Sequence, residues 1–561
     1  MSAPARAVEV LRALLAGGVR EVVLAPGSRS APFALALYAA NASGDLRLHV
    51  RLDERTAGFL ALGLSVGSRR PVAVVTTSGT AVGNLLPAVM EAHHAGRSLI
   101  VVSADRPAVL RGTGANQTTW QDGIFGRFAP CVDLSPEATE TQVLQAVRAA
   151  VDGAGPAHLN VQFDAPLVPG PSQPWWPGPG GARPGGARPA DRPVEPADGP
   201  VALALPAGPR TVLVAGDDAG HTARVLAETA GWPLLAEPTS GSRAGRHPIR
   251  THRLLLGAGS GAGRELTAQI ERVVVVGHPT LSRPVSALLA RPDVQLLAVA
   301  GRAGVATDPA RRASRLALLP RPAAPGPADH AWLARWLAAD AALSDRVDRF
   351  LAQLPELDAL HVAAEVGAAF GPGETLVVAA SNPVRDLDLA LAPYPPRQRR
   401  LVVANRGLAG IDGTLSTAIG VALGRPDAPR TRALVGDLAF LHDASALFLG
   451  PDEPRPDLTI VVANDDGGSI FALLEQGAPD YAPAFERVFA TPHGTDLAAL
   501  AAASHTAYTR VQSRAQLRAA LAEPAHGLRV VEAQVSRADR RTTAAAIAAL
   551  AEDLPPPGGM P

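Results

Sequence analysis

Short runs of consecutive apolar residues, many of them β-branched, alternate along the chain with Ala/Leu-rich stretches of helical period, and most runs stop at a glycine, serine or asparagine. A continuous apolar run marks a strand buried on both faces, which parallel sheets covered by helices require. The pattern predicts an α/β fold of doubly wound parallel sheets. In the first third the strands are EVVLA (21–25), PVAVVTT (71–77), SLIVVSA (98–104) and LNVQF (159–163), enough for one such domain over 1–170. From 171 to 205 the text is too rich in proline and glycine for a helix or a central strand and reads as a linker. RTVLVAG (210–216), WPLLAE (232–237), RVVVVG (272–277) and VQLLAVA (294–300) predict a middle domain over 206–345. TLVVAAS (375–381), RLVVAN (400–405), RALVGD (432–437), LTIVVAN (458–464) and LRVVEAQV (528–535) predict a third over 346–545, and 546–561, ending in DLPPPGGMP, is expected as a tail. Three similar units without a sharp repeat suggest duplicated flavodoxin-like or Rossmann-like layers.

Composition narrows the chemistry. The 561 residues carry a formal charge of +0, which offers no broad attraction to nucleic acid or an anionic membrane. All 52 basic residues are arginine, so a Walker A lysine, a Schiff-base lysine and a pyridoxal phosphate anchor are excluded. Cys131 is the only cysteine, which rules out an intrachain disulfide or a CxxC site and fits a reducing, cytoplasmic setting. The N-terminus lacks the apolar core of a signal peptide, and no segment approaches the roughly 20 apolar residues of a membrane span.

Ligands of such sheets bind beyond the carboxyl ends of the strands, so residues just after each strand are the candidates. GDLAFLHD and NDDGGSIF place Asp437 and, 28 positions on, Asp465 at two successive strand ends beside glycines. Mg²⁺ takes one or two carboxylates plus phosphate oxygens, so this pair suggests a metal-bridged diphosphate. PGSRSAP (26–32) is a Gly-Ser turn opening a helix, with Ser28 and Arg29 suited to an anion. Glu54 begins an amphipathic helix and, taken alone, reads as a solvated helix-start acid. TTSGTAVGN (76–84) is a second such loop, and the long irregular stretch 102–125 supplies Arg106 and Gln117. SNPVRD contributes Ser381 and Arg385, and NRGLAGIDG contributes Arg406 and Ile411. Any one arginine could be a surface ion pair, but several at strand ends of a neutral chain imply a pocket for small carboxylates. GDDAG (216–220) lacks the third glycine of a dinucleotide turn and reads as structural, and the adjacent His93 and His94 diverge on a helix and read as packing or solvent-facing residues.

Together these motifs resemble the thiamine-diphosphate-dependent enzymes of the pyruvate-decarboxylase type over nearly the whole chain. Within them, APGSRSAP, SADRP, ANQTTWQDGIFG, SNPVRD, NRGLAGIDGTLSTA, GDLAFLHD and NDDGGSIF look like the menaquinone-pathway branch, the 2-succinyl-5-enolpyruvyl-6-hydroxy-3-cyclohexene-1-carboxylate (SEPHCHC) synthases. The resemblance implies pyrimidine-binding, middle and diphosphate-binding domains in that order. It implies that Asp437, the Asp465 side chain and the Gly467 carbonyl hold Mg²⁺ (or Mn²⁺), with Asn464 an alternative ligand. Leu438 stands for the second glycine of the broader GDG motif, and Asp465 stands where asparagine is common. Glu54 matches the glutamate that hydrogen-bonds the aminopyrimidine, and Ile411 the apolar wedge that bends the cofactor. The implied reaction decarboxylates 2-oxoglutarate and adds the succinyl carbanion to isochorismate. Arg385, Arg406 and Ser381 would receive the succinyl-side carboxylate; Ser28, Arg29, Arg106 and Gln117 would face isochorismate. Arg283 would reach the second substrate, with Ser282 before it where lysine is frequent, and Ile470 and Phe471 would form an apolar wall. The resemblance implies a homodimer or homotetramer whose active sites are shared between subunits. The competing readings are another thiamine-diphosphate 2-oxoacid decarboxylase or carboligase, and a non-catalytic nucleotide-binding paralogue.

Overall fold

A computed structural model describes residues 1–179, 202–354 and 357–555. The first sheet contains β1 (Glu21–Leu24), β2 (Arg47–Val50), β3 (Val72–Thr76), β4 (Leu99–Asp105), β5 (Cys131–Leu134) and β6 (Ala157–Gln162). Their order is β2-β1-β3-β4-β6-β5, with every pairing parallel. The strands β1, β3, β4 and β6 are buried along their whole length; β1, β3 and the first part of β4 read as apolar runs, whereas β6 buries His158, Asn160 and Gln162 between its apolar residues. β5 lies at the sheet edge with Val132 and Asp133 exposed, so its sequence carries no such run and pattern reading passes over it.

The middle sheet orders β8 (Thr211–Ala215), β9 (Leu234–Ala236), β10 (Arg272–Val276), β11 (Gln295–Val299) and β12 (Ser314–Leu316) as β12-β11-β10-β8-β9, again all parallel. Beside it β7 (Ala204–Leu205) pairs with β13 (Arg321–Pro322). The third sheet orders β14 (Thr375–Val378), β15 (Leu401–Val403), β16 (Thr431–Gly436), β17 (Leu458–Asn464), β18 (Ala507–Val511) and β19 (Leu528–Gln534) as β15-β14-β16-β17-β19-β18. In all three sheets the chain winds one way from the first strand, then returns to build the other side. The resulting switch points, β1/β3, β8/β10 and β14/β16, are where ligands of doubly wound sheets bind, beyond the strand ends.

Several boundaries move. The expected linker over 171–205 has no helix or strand through 179, and its part over 180–201 lies outside the described residues. Its end is structured, because β7 pairs with β13 and Leu205 is buried in the middle core. The helix Pro327–Gln353 crosses the expected 345/346 boundary, since Trp332, Trp336, Leu343, Val347 and Leu351 pack into the middle core. The expected tail also begins later than 546: Ile547, Ala551 and Leu554 are buried in that core, and only 556–561 lie outside the described residues. Among the described residues no helix is long and apolar enough to cross a membrane.

The chain divides into two compact units, one holding the first sheet with 407–427 and 442–458, the other the middle and third sheets. Within the first, the helix Glu54–Ser68 lies against the helix Thr414–Gly424 with almost no side chain between them. A Cβ on Gly63 would sit 2.2 Å from the Thr417 carbonyl oxygen, and one on Gly420 would sit 2.3 Å from that of Leu60. Gly67 and Gly424 repeat the approach one turn on, at 2.7 Å from the Val421 oxygen and 2.8 Å from the Ser68 nitrogen. Small residues four apart on both helices allow this contact, and it fixes the helix that Glu54 begins.

Candidate active site

Asp437 follows Gly436 at the end of β16 and is 2% exposed. Its Oδ1 accepts the Leu438 N–H at 2.6 Å and its Oδ2 the Gly467 N–H at 2.8 Å. Gly467 has φ +149°, and a Cβ there would stand 2.4 Å from the Ala490 carbonyl oxygen, so the loop closes only on glycine. Asp466 lies at φ +55°, and its carboxylate accepts the backbone N–H groups of His493 and Gly494 at 3.0 and 2.9 Å. Arg537 donates to the carbonyl oxygens of Asp465 and Asp466 at 2.9 and 2.6 Å. Asn464 donates to Glu532 Oε1 at 2.7 Å while its Oδ1 accepts the Asp466 N–H at 3.0 Å. Its side chain is thereby committed to shaping the loop, which favours Asp465 over Asn464 as the oxygen donor.

Burial raises the pKa of Asp437. Asp465 is pushed up to about 7, first by burial and then by the charge of Asp437. A buried and a half-buried carboxyl group, the second raised by the charge of the first, fit a divalent cation, which would relieve the repulsion. Among the described residues no three His, Cys, Asp or Glu side chains gather into a metal cluster. Sequence reasoning missed His493, whose Nε2 is 3.3 Å from Asp437 Oδ2; a His-Gly turn far along the chain is its only signal.

In the same unit Ser381, after β14, adopts φ +71° and precedes the helix Asn382–Ala390. Arg385 donates to the Ser381 carbonyl at 2.7 Å. Arg406 is 3% exposed, and its Nη2 donates to Thr280 Oγ1 at 2.7 Å. Burial and then the charges of Arg406 and Arg253 lower the Arg385 pKa, which describes guanidinium groups crowded beyond what their own counter-ions neutralise. Thr280 was missed because the residue that needs it is 126 positions away. Arg283 stands apart from this pair: it is exposed and its guanidinium meets Glu475 at 3.0 Å. Ser282 caps the helix Arg283–Ala290, accepting the Val285 N–H at 3.4 Å. Ile470 and Phe471 are half-buried on the turn Ser469–Leu473, where the Phe471 ring lies 6.0 Å from that of Phe489.

In the first unit Asp53 caps the Glu54 helix, accepting the Arg55 and Thr56 N–H groups at 2.9 and 3.4 Å. Glu54 is half-buried and its Oε2 accepts from Asn84 at 3.3 Å. Arg106 donates to Ser78 Oγ and to the Gln117 carbonyl, both at 2.6 Å, and Gln117, at φ +55°, donates its side-chain amide to the Ser78 carbonyl at 2.8 Å. Arg29 donates to the Phe163 carbonyl at 3.0 Å, and burial followed by the charge of Arg106 lowers its pKa. Arg29, Arg106 and Gln117 are therefore brought together across the β1/β3 switch point, with Ser28 exposed in the same turn. The segment carrying Arg106 and Gln117 is clamped by Arg111, which the sequence did not single out, through Asp105 at 2.8 Å and Asp133 at 2.9 Å. Ile411 is half-buried, its carbonyl bonded to Thr414 Oγ1 at 3.1 Å, and nearby Gly413 leaves room for the Phe59 ring, 1.9 Å from where a Cβ would stand. The His93 ring meets those of His94 and Phe128 edge to face at 5.2 and 5.5 Å, while His94 is exposed, so one of the pair packs and the other faces solvent.

Residues 6–124 match the family of the thiamine pyrophosphate enzyme N-terminal TPP binding domain, and residues 387–533 that of the C-terminal TPP binding domain. The fold is therefore that of a thiamine-diphosphate-dependent enzyme. The chain is 56% identical over 550 residues to a 2-succinyl-5-enolpyruvyl-6-hydroxy-3-cyclohexene-1-carboxylate synthase of Nocardioides sp., covering 96% of each chain. Proteins of that name from Kineococcus radiotolerans and Paenarthrobacter aurescens are 49% and 47% identical, over 93% and 95% of this chain and 93% and 94% of theirs. The chain belongs to the SEPHCHC synthase family.

Proposed function

We propose that the chain catalyses the thiamine-diphosphate-dependent joining of 2-oxoglutarate to isochorismate in menaquinone biosynthesis, with release of CO₂. One carbon–carbon bond breaks as CO₂ leaves, one forms from the succinyl unit to the conjugated alkene, and a proton is taken up at the neighbouring ring carbon. When bound, the cofactor supplies the electron sink for the pair left by CO₂ loss. Asp437, Asp465 and the Gly467 carbonyl are assigned to Mg²⁺ or Mn²⁺ against the diphosphate, with Phe471 and Ile411 as apolar supports of the cofactor. Glu54 is assigned to hydrogen-bond the aminopyrimidine ring when the cofactor is bound, from a helix that its glycine contact keeps in place. Arg385 and Arg406, with Ser381, bind the succinyl-side carboxylate, and desolvation strengthens that pairing. Arg29, Arg106 and Gln117, with Ser28, Arg283 and Ile470, are assigned to isochorismate.

The observation that supports this reading most is the placing of Asp437 and Asp465 beyond neighbouring strands beside Gly467, with Asp465 raised by burial and then by the charge of Asp437. Glu54 of one subunit would serve the cofactor held by Asp437 of another, in a homodimer or homotetramer. A cytoplasmic location fits the single free thiol, Cys131. Mixing Glu54→Ala with Asp437→Ala protein tests the sharing: exchange of subunits should restore part of the activity that each lacks, and failure to restore any after demonstrated exchange rejects it.

A further inference from the structure

Glu237 follows β9 at 3% exposure, and the chemistry above leaves it without a role. Its Oε1 accepts two backbone donors, the Thr280 N–H at 3.0 Å and the Leu281 N–H at 2.8 Å. The Thr280 hydroxyl is in turn the acceptor of Arg406 Nη2 at 2.7 Å. A buried carboxyl thus fixes the turn beyond β10, and the side chain of that turn fixes the arginine. The charged groups facing it are Arg406 beyond β15, Arg385 and Asp388 on the helix Asn382–Ala390, and Asp217 beyond β8.

We propose that Glu237 is a positioning residue for the carboxylate site, holding the Thr280–Leu281 amides so that the Thr280 hydroxyl aims the Arg406 guanidinium at the substrate. The inference rests on the assignment of Arg385 and Arg406 to the 2-oxo acid. Burial outweighs the Leu281 N–H and Arg406 and pushes the Glu237 carboxyl up to about 8. At neutral pH the group is therefore an uncharged acid, which binds both amides without drawing the arginine charge away from the substrate. Above that pH its carboxylate competes with the substrate's for the same guanidinium groups.

The test combines crystal structures with kinetics of the holoenzyme from pH 6.5 to 9. The wild-type KM for 2-oxoglutarate should rise by about tenfold by pH 9, the limit if only the neutral form permits binding. Glu237→Gln keeps an acceptor for the amides and cannot ionise, so it should retain the Arg406–Thr280 contact and the wild-type KM near neutrality while losing the rise. Glu237→Ala should lose the contact and raise KM at every pH with a smaller change in kcat, and Thr280→Val should do the same without disturbing the buried carboxyl. The inference is overturned if the contact survives Glu237→Ala, or if the rise persists in Glu237→Gln. If the wild type consumes no 2-oxoglutarate, the functional reading falls instead, and the fate of the contact in the two variant structures still decides the role of Glu237.

Discussion

Replacing Gly63 by alanine adds one methyl group where two helices nearly touch. The new Cβ would lie 2.2 Å from the Thr417 carbonyl oxygen, and ordinary contact begins at 3.4 Å, so the helices must part by the difference, 1.2 Å. The obstacle is backbone and cannot rotate away. Separation on that scale forfeits a quarter to a half of the dispersion attraction along the seam of Gly63, Gly67, Gly420 and Gly424. Overpacking of this kind costs about 1–3 kcal/mol, and the upper end applies because no side chain can yield. Alanine returns about 1 kcal/mol through its better helix propensity, which leaves a net loss of about 2 kcal/mol. Urea unfolding followed by tryptophan fluorescence reads this as a lower midpoint of the earliest transition, since a chain of this size need not unfold in one step. Gly83→Ala is the control: nothing lies within 4 Å of its Cβ, and it should be neutral or stabilising by about 0.4–1 kcal/mol. The Gly63 variant should also lose activity, because Glu54 heads the displaced helix. Wild-type stability in Gly63→Ala would refute the close-packing argument.

Other outcomes follow from single contacts. Asp443 is fully buried, bonded to the Ser416 N–H at 2.7 Å, and burial raises its pKa to about 6. A carboxyl raised in the folded state contributes stability below its unfolded pKa that is lost as pH rises through about 6, on the order of 3 kcal/mol. Asp443→Asn should therefore remove a loss of stability between about pH 4 and 6 that urea midpoints of the wild type display. Asn464→Ala should weaken Mg²⁺ and thiamine diphosphate binding by about 10–100-fold in calorimetry, the scale for a residue that orients a ligand loop, with little change in the unfolding midpoint of the apoprotein. Arg111→Met leaves Asp105 buried without its guanidinium, which should destabilise the protein by about 3 kcal/mol and expose the 106–125 segment to limited proteolysis.

Strands buried on both faces were legible because burial forces an unbroken apolar run; β1, β3, β10 and β17 are of this kind. β5 and β18 were not, because an edge strand keeps polar residues and looks like a loop. That Asp437 and Gly467 meet beyond neighbouring strands was legible because each sits in a short motif just after a strand. Thr280, His493 and Glu237 act on residues far away in sequence, and no local pattern announces the pairing. The same holds for GLSVG (63–67) and GVALG (420–424): both spacings are plain in the text, but only the fold shows that each is the other's partner.

The central claim is most directly tested by giving the purified protein thiamine diphosphate, Mg²⁺, 2-oxoglutarate and isochorismate, and following isochorismate loss and CO₂ release with each component omitted in turn. The account predicts equimolar loss and release that stops when any one component is withheld, and that Asp437→Ala abolishes together with thiamine diphosphate binding. CO₂ release with no loss of isochorismate would contradict the assigned acceptor, and turnover that persists without thiamine diphosphate would contradict the account at its base.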